Sequence, residues 1–102
     1  MLPLIESRVA EIAELCRRFH VRRLDVFGSA ARVVDFDPAR SDIDILVAYA
    51  PDSAPNMWDY FALREALSDL LGRKVDLVMA DAVENPFVRA GIERSRQPLY
   101  GA

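Results

Sequence analysis

The chain has 102 residues, 52% of them apolar and 28% charged, with a formal net charge of −3. That length accommodates one hydrophobic core, the mixture excludes a disordered or fibrous chain, and the acidic balance disfavours a general polyanion binder, whose affinity rests on neutralising many phosphates. No apolar run approaches the roughly 20 residues that span a bilayer, and Met1-Leu2-Pro3-Leu4-Ile5-Glu6 has neither the basic region nor the apolar length of a signal peptide. The expectation is a cytoplasmic protein, one domain over residues 1–102, with no membrane association and no direct nucleic-acid binding. Cys16 is the only cysteine, which rules out an internal disulfide and a cysteine-based metal site within one chain.

Ile5, Val9, Ile12, Cys16 and Phe19 recur at alternating four- and three-residue intervals, which predicts one amphipathic helix over residues 4–19 with Pro3 in its first turn. Cys16 lies on the apolar stripe and reads as a small core residue. Leu24, Val26 and Phe27 predict a strand over 23–27, stopped by Gly28-Ser29. Ile43 to Tyr49 predicts a second strand, bounded by a polar turn around Asp37-Pro38 and by Pro51 and Pro55.

Asn56 suits the N-cap of a long helix reaching Leu71, with Gly72 as its stop and Phe61, Leu63, Leu67, Leu70 and Leu71 as its buried face. Trp58 and Tyr60 read as core residues of that helix, with partner binding or a place beside a nucleotide as the alternative. Val75 to Met79 predicts a third strand. Asn85-Pro86 is a cap followed by a first-turn proline, which predicts a short helix over 86–95, and Leu99-Tyr100 an edge strand. Arg17, Arg18, Arg22 and Arg23 cluster near a helix end and read as a solvated face. Alternating helices and strands indicate an α/β or α+β fold, a small sheet covered by helices on at least one face. Strand order is not readable, and the helix between the second and third strands permits a parallel crossover without proving one.

The chemistry lies in acidic residues placed inside strands. In Ser41-Asp42-Ile43-Asp44-Ile45 the two carboxylates point to the same side, about 7 Å apart along the backbone. Like charges held together are costly and raise carboxylate pKa values unless a cation lies between them. An all-oxygen ligand set of this kind suits Mg²⁺ or Mn²⁺, which keeps waters and shares substrate phosphates. Asp76, between Val75 and Leu77, repeats the pattern on the third strand, so three strand carboxylates become available for two metal ions, or for one metal and a general base. Water-facing strand ends are the alternative. Gly28 lets the backbone approach a ligand closely; Ser29-Ala30-Ala31-Arg32 can begin a helical turn, with the Ser29 hydroxyl and the Arg32 guanidinium within reach of phosphate oxygens.

Gly28-Ser29-Ala30-Ala31-Arg32, Ser41-Asp42-Ile43-Asp44 followed by Ile45-Leu46-Val47, and Val75-Asp76-Leu77-Val78 together resemble the minimal nucleotidyltransferases of the DNA polymerase β superfamily, over roughly residues 5 to 100. The twelve residues from Ala30 to Ser41 fill the place of that family's spacer of about ten. The resemblance implies a polymerase β palm-like fold, with a small mixed sheet flanked by helices. It implies that Asp42 and Asp44 ligate a catalytic Mg²⁺, that Asp44 also ligates a second Mg²⁺ travelling with the nucleotide, and that Asp76 completes the metal site and assists deprotonation of the attacking hydroxyl. Gly28 and Ser29 would hold the β- and γ-phosphates of ATP, with Arg32 a further contact.

Larger superfamily members carry a helical domain that helps present the acceptor, and the short chain is expected to find its acceptor on another protein. In that respect it resembles antitoxins of HEPN/minimal-nucleotidyltransferase pairs, whose family activity is transfer of AMP from ATP to a tyrosine of the cognate HEPN ribonuclease toxin. The expected assembly is a hetero-oligomer with that toxin. Two alternatives stand beside it: an antitoxin acting by occlusion without catalysis, and the catalytic subunit of a two-component transferase acting on a small molecule or nucleic acid.

Overall fold

The strands Val21–Phe27 (β1), Ile43–Tyr49 (β2), Val75–Met79 (β3) and Gln97–Tyr100 (β4) form one four-stranded sheet in the order β3-β2-β1-β4. It was obtained as a computed structural model that describes residues 1–32, 37 and 41–101. β1 is antiparallel to both β2 and β4, whereas β2 and β3 run parallel. The helices are Pro3–Glu6 (α1), Val9–Arg18 (α2), Ser29–Arg32 (α3), Met57–Leu71 (α4) and Pro86–Ser95 (α5), with a 3₁₀ turn over Ala80–Ala82. The α/β architecture expected from the alternating elements is therefore present, and its sheet is mixed.

One sheet face carries the main core. Leu24 and Val26 of β1, Ile43, Ile45 and Val47 of β2, and Val75 and Leu77 of β3 are buried against Ile12, Cys16, Leu63, Leu67 and Leu71. Burial pushes the Cys16 thiol up to about 12, with Arg17 opposing the shift, which fits the core role read from the sequence. α4 is the crossover that parallel pairing of β2 and β3 requires. Its start is a capping box, in which Asn56 Oδ1 accepts from Asp59 N at 2.9 Å and Asp59 Oδ2 accepts from Asn56 N at 3.2 Å. Gly72 ends it in the left-handed region at φ +64°.

Three expectations need correction. The helix expected over 4–19 is two helices, because Arg8 leaves helical geometry at φ −115°, ψ 12° and Leu2 N donates to Ala30 O at 3.3 Å, tying the first turn to α3. Ile5 and Ile12 remain buried, but Val9 turns outward. The face of α4 is Leu63, Leu67 and Leu71 at four-residue spacing, with Leu70 half-buried. At about 100° per residue, Trp58 lies some 140° and Phe61 some 200° from Leu63. Accordingly Trp58 is 79% exposed and Phe61 also faces outward, whereas Tyr60 is half-buried and donates its hydroxyl to Leu77 O. Finally, β1 begins at Val21, earlier than expected, after His20 turns the chain at φ 59°. Ser41 N donates to Asp37 O at 2.8 Å and Asp37 N to Ser41 Oγ at 2.9 Å, while Pro38, in the turn expected there, lies outside the described residues.

Candidate functional site

The sheet's second face begins where its alternation places Asp44. Ile43, Ile45 and Val47 enter the core, so Asp44 projects from the opposite side of β2. In register it is paired with Asp76 of the parallel β3 and with Phe27 of the antiparallel β1. Side chains of directly paired residues lie on the same face, so Asp44 and Asp76 are neighbours and the end of β1 closes the other flank. Asp42 precedes β2 by one residue, half-buried, with Lys74 Nζ 3.7 Å from its Oδ2. The lysine is 80% exposed, and a pair so open to water contributes little to stability.

Burial raises the Asp44 carboxyl above its usual 3.8, and the charges of Asp76 and then Asp42 push it further the same way, with Arg32 opposing them. The other two carboxylates expected from the sequence thus act on Asp44, as does the cation at the end of α3. Among the described residues no three His, Cys, Asp or Glu side chains form a ready-made metal cage. The donor chemistry nonetheless fits Mg²⁺, a hard cation usually held by one or two carboxylates together with waters and substrate phosphates rather than by a closed protein cage. Asp42, Asp44 and Asp76 are the residues that could hold it.

Gly28 ends β1 in the left-handed region at φ +69°, and a Cβ built on it would stand 2.7 Å from Asp44 Oδ2. A side chain at this position and a carboxylate at 44 compete for the same space. The turn continues as α3, closed by Ala31 N and Arg32 N, each donating to Gly28 O at 3.1 Å. Ser29 is its first residue, half-buried, and Arg32, its last, is exposed. The early N–H groups of a helix have no carbonyl of their own helix to bond, and here they stand next to the carboxylate cluster.

Gly28→Ala and Gly72→Ala separate the two demands at this turn. Both glycines have φ above +60°, but nothing lies within 4 Å of a Cβ at Gly72. Gly72→Ala is expected to cost about 1 kcal/mol from the backbone alone. Gly28→Ala should lose more, because its Cβ also meets the Asp44 carboxylate, as thermal melts of both variants would show.

A further strand carboxylate, Asp25, has no role in the sequence reading. It is completely buried on β1, where Arg23 Nε donates to Oδ1 at 3.2 Å and Arg96 donates from across the sheet to Oδ2. The signal that singles out Asp44 and Asp76, a carboxylate within an apolar run, is present at Leu24-Asp25-Val26 as well; what the sequence does not show is a partner 71 residues away. Arg17, Arg18 and Arg22 face solvent as expected, but Arg23 is half-buried on this carboxylate.

The nucleotidyltransferase domain model matches residues 9–99 of this chain. The chain belongs to the nucleotidyltransferase domain family. It is 40% identical over 76 residues to the protein adenylyltransferase MntA of Thermococcus cleftensis, across 74% of this chain and 73% of that protein. The solved structure of a provisionally assigned minimal nucleotidyltransferase superposes with a TM-score of 0.73 at 33% identity, covering 91% of this chain and 90% of that one. The fold is also that of the complex of a tri-AMPylated HEPN toxin of Shewanella oneidensis with its MNT antitoxin, at a TM-score of 0.68 and 21% identity over 96% of this chain and 73% of that one. The family supplies the reaction class for the nucleotidyltransferase domain described above, and the enzyme expected from Gly28-Ser29 and the strand carboxylates is of that class.

Proposed function

We propose that this nucleotidyltransferase domain transfers AMP from ATP to a tyrosine hydroxyl of a cognate HEPN toxin in an Mg²⁺-dependent reaction, and so neutralises it as its antitoxin. The observation that carries the reading is the position of Asp44 between its register partner Asp76 and Gly28, which sets a phosphate-approaching turn directly against one of two paired carboxylates. Gly28 and Ser29 hold the β- and γ-phosphates, with Arg32 reaching the same oxygens from the end of α3. Asp42, Asp44 and Asp76 hold Mg²⁺, which when bound neutralises charge developing on the phosphates. Asp76, more exposed than Asp44, accepts the proton of the acceptor hydroxyl. That oxygen attacks the α-phosphorus, the bond from the α-phosphorus to the bridging oxygen of the β-phosphate breaks, and pyrophosphate leaves. The acceptor stands on the partner, so enzyme and substrate form a hetero-oligomer.

The name of the Thermococcus relative and the AMPylated toxin in the Shewanella complex support this choice of nucleotide and partner. The test is incubation with Mg²⁺, α-labelled ATP and a HEPN protein of the same genome, beginning with the product of the adjacent gene. Label on a tyrosine of that protein, removed by changing the tyrosine to phenylalanine, is the expected result. Complex formation and toxin neutralisation without label would replace transfer by occlusion.

A further inference from the structure

Three consecutive residues at the junction of α5 and β4 grip the β1–α3 segment at three points spaced three residues apart. Arg96 donates to Asp25, Ser95 Oγ accepts from Gly28 N at 3.0 Å, and Gln97 Nε2 donates to Ala31 O at 3.4 Å. The central contact joins residues 67 apart in the chain. The Ser95 hydroxyl is fixed in both of its roles, because it also donates to Gly91 O at 3.3 Å, one turn back along α5. Arg96 is likewise fixed, held by Glu93 on its own helix and by the fully buried Asp25 beneath it. Gln97 is in register with Val26 of β1, so the backbone anchors the same junction.

We infer that Ser95, supported by Arg96 and Gln97, is a positioning residue that sets the distance between the Gly28–Ser29 turn and the Asp44 carboxylate. The reason is the tolerance at Gly28. With Asp44 Oδ2 2.7 Å from where a Cβ would stand, the turn approaches the carboxylate more closely than any side chain at this position allows, and among the contacts described only Ser95 holds the Gly28 amide. Without that acceptor the Gly28 N–H has to find a new partner or move toward water, and the turn bearing Ser29 moves with it. Ser95 acts through Gly28 and Ser29 and need not touch the nucleotide.

The inference rests on the nucleotide-binding role proposed for this turn, and the experiment keeps the two apart. ATP is titrated in the presence of Mg²⁺ into the wild-type chain and into Ser95→Ala, Ser95→Thr and Gln97→Ala, well below the melting temperature of each. Ser95→Ala is expected to weaken ATP binding about tenfold, the usual scale for orphaning one part-buried amide. Ser95→Thr, which keeps the hydroxyl, should restore binding to within about twofold, and Gln97→Ala should show a smaller loss than Ser95→Ala. A purely structural role would lower the melting temperature of Ser95→Ala and leave its ATP affinity at the wild-type value, and that result overturns the inference alone. Should Ser95→Ala not fold, weaker ATP binding by Gln97→Ala than by the wild type, with Ser95→Thr within about twofold of the wild type, upholds it, and wild-type affinity in Gln97→Ala overturns it. Absence of ATP binding by the wild-type chain overturns the proposed function and this inference with it.

Discussion

Asp44→Asn is expected to lower nucleotidyl transfer by about a thousandfold or more, roughly 4 kcal/mol of transition-state stabilisation, while leaving the fold intact. The two effects separate because the residue is badly placed for stability. Burial and the charges of Asp76 and Asp42 raise its folded pKa above the ordinary value of 3.8, so the folded chain holds the Asp44 proton more tightly than the unfolded chain does. The ionised side chain therefore lowers stability. That penalty is absent below the unfolded value, grows as pH rises toward the elevated folded value, and is constant above it. Asparagine keeps the shape and removes the charge, so at neutral pH the variant should melt at the wild-type temperature or higher, with the gap closing on acidification. Mg²⁺ should raise the melting temperature of the wild type by binding the folded state and should leave Asp44→Asn nearly unchanged. Full activity in Asp44→Asn would remove this carboxylate from the site.

The largest loss of stability is expected at Asp25, on the same strand as the turn but one step behind it. Asp25→Ala removes a fully buried carboxylate that two arginines share, with Arg96 only 18% exposed and Arg23 36% exposed. Breaking a buried pair by deleting one partner costs about 3–5 kcal/mol, because the remaining charge stays out of water without compensation. Arg23 can swing into solvent, so the uncompensated group is Arg96. In a domain of this size such a loss lowers the melting temperature by about 12 °C or more. Adding Arg96→Met to Asp25→Ala should recover part of it by removing the orphaned guanidinium, as a thermal melt of the double variant would show. A double variant no more stable than Asp25→Ala would mean that the ion pair is not the source of the loss.

These two aspartates also mark how far the sequence can be read. Asp44 and Asp76 are legible because each interrupts an apolar strand whose neighbours need the core, and the two-residue repeat assigns Asp44 to the opposite face before any partner strand is known. Helix limits set by local chemistry are legible too: Asn56 caps α4, Gly72 ends it, and Asn85 accepts from the amides of Phe87 and Val88 at the start of α5. What depends on contacts distant in the chain is not. The start of α1 is tied to Ala30 by Leu2, ahead of the break at Ser7-Arg8, the outward turn of Trp58 comes from the choice of Leu63, Leu67 and Leu71 as the buried row, and the placement of Asp25 from Arg96. Strand order belongs to the same class, since only pairing puts Asp76 on one side of Asp44 and Gly28 on the other.

Under the proposed function this cluster and turn direct an acceptor hydroxyl to the α-phosphorus of ATP. Parallel reactions with α-labelled and γ-labelled ATP, each containing Mg²⁺ and a HEPN protein of the same genome, test it most directly. Label from the α-position bound to the acceptor, label from the γ-position released as pyrophosphate, and loss of both in Asp44→Asn is the result expected of nucleotidyl transfer. Label from the γ-position on the acceptor, or α-label transfer that persists in Asp44→Asn, would contradict it.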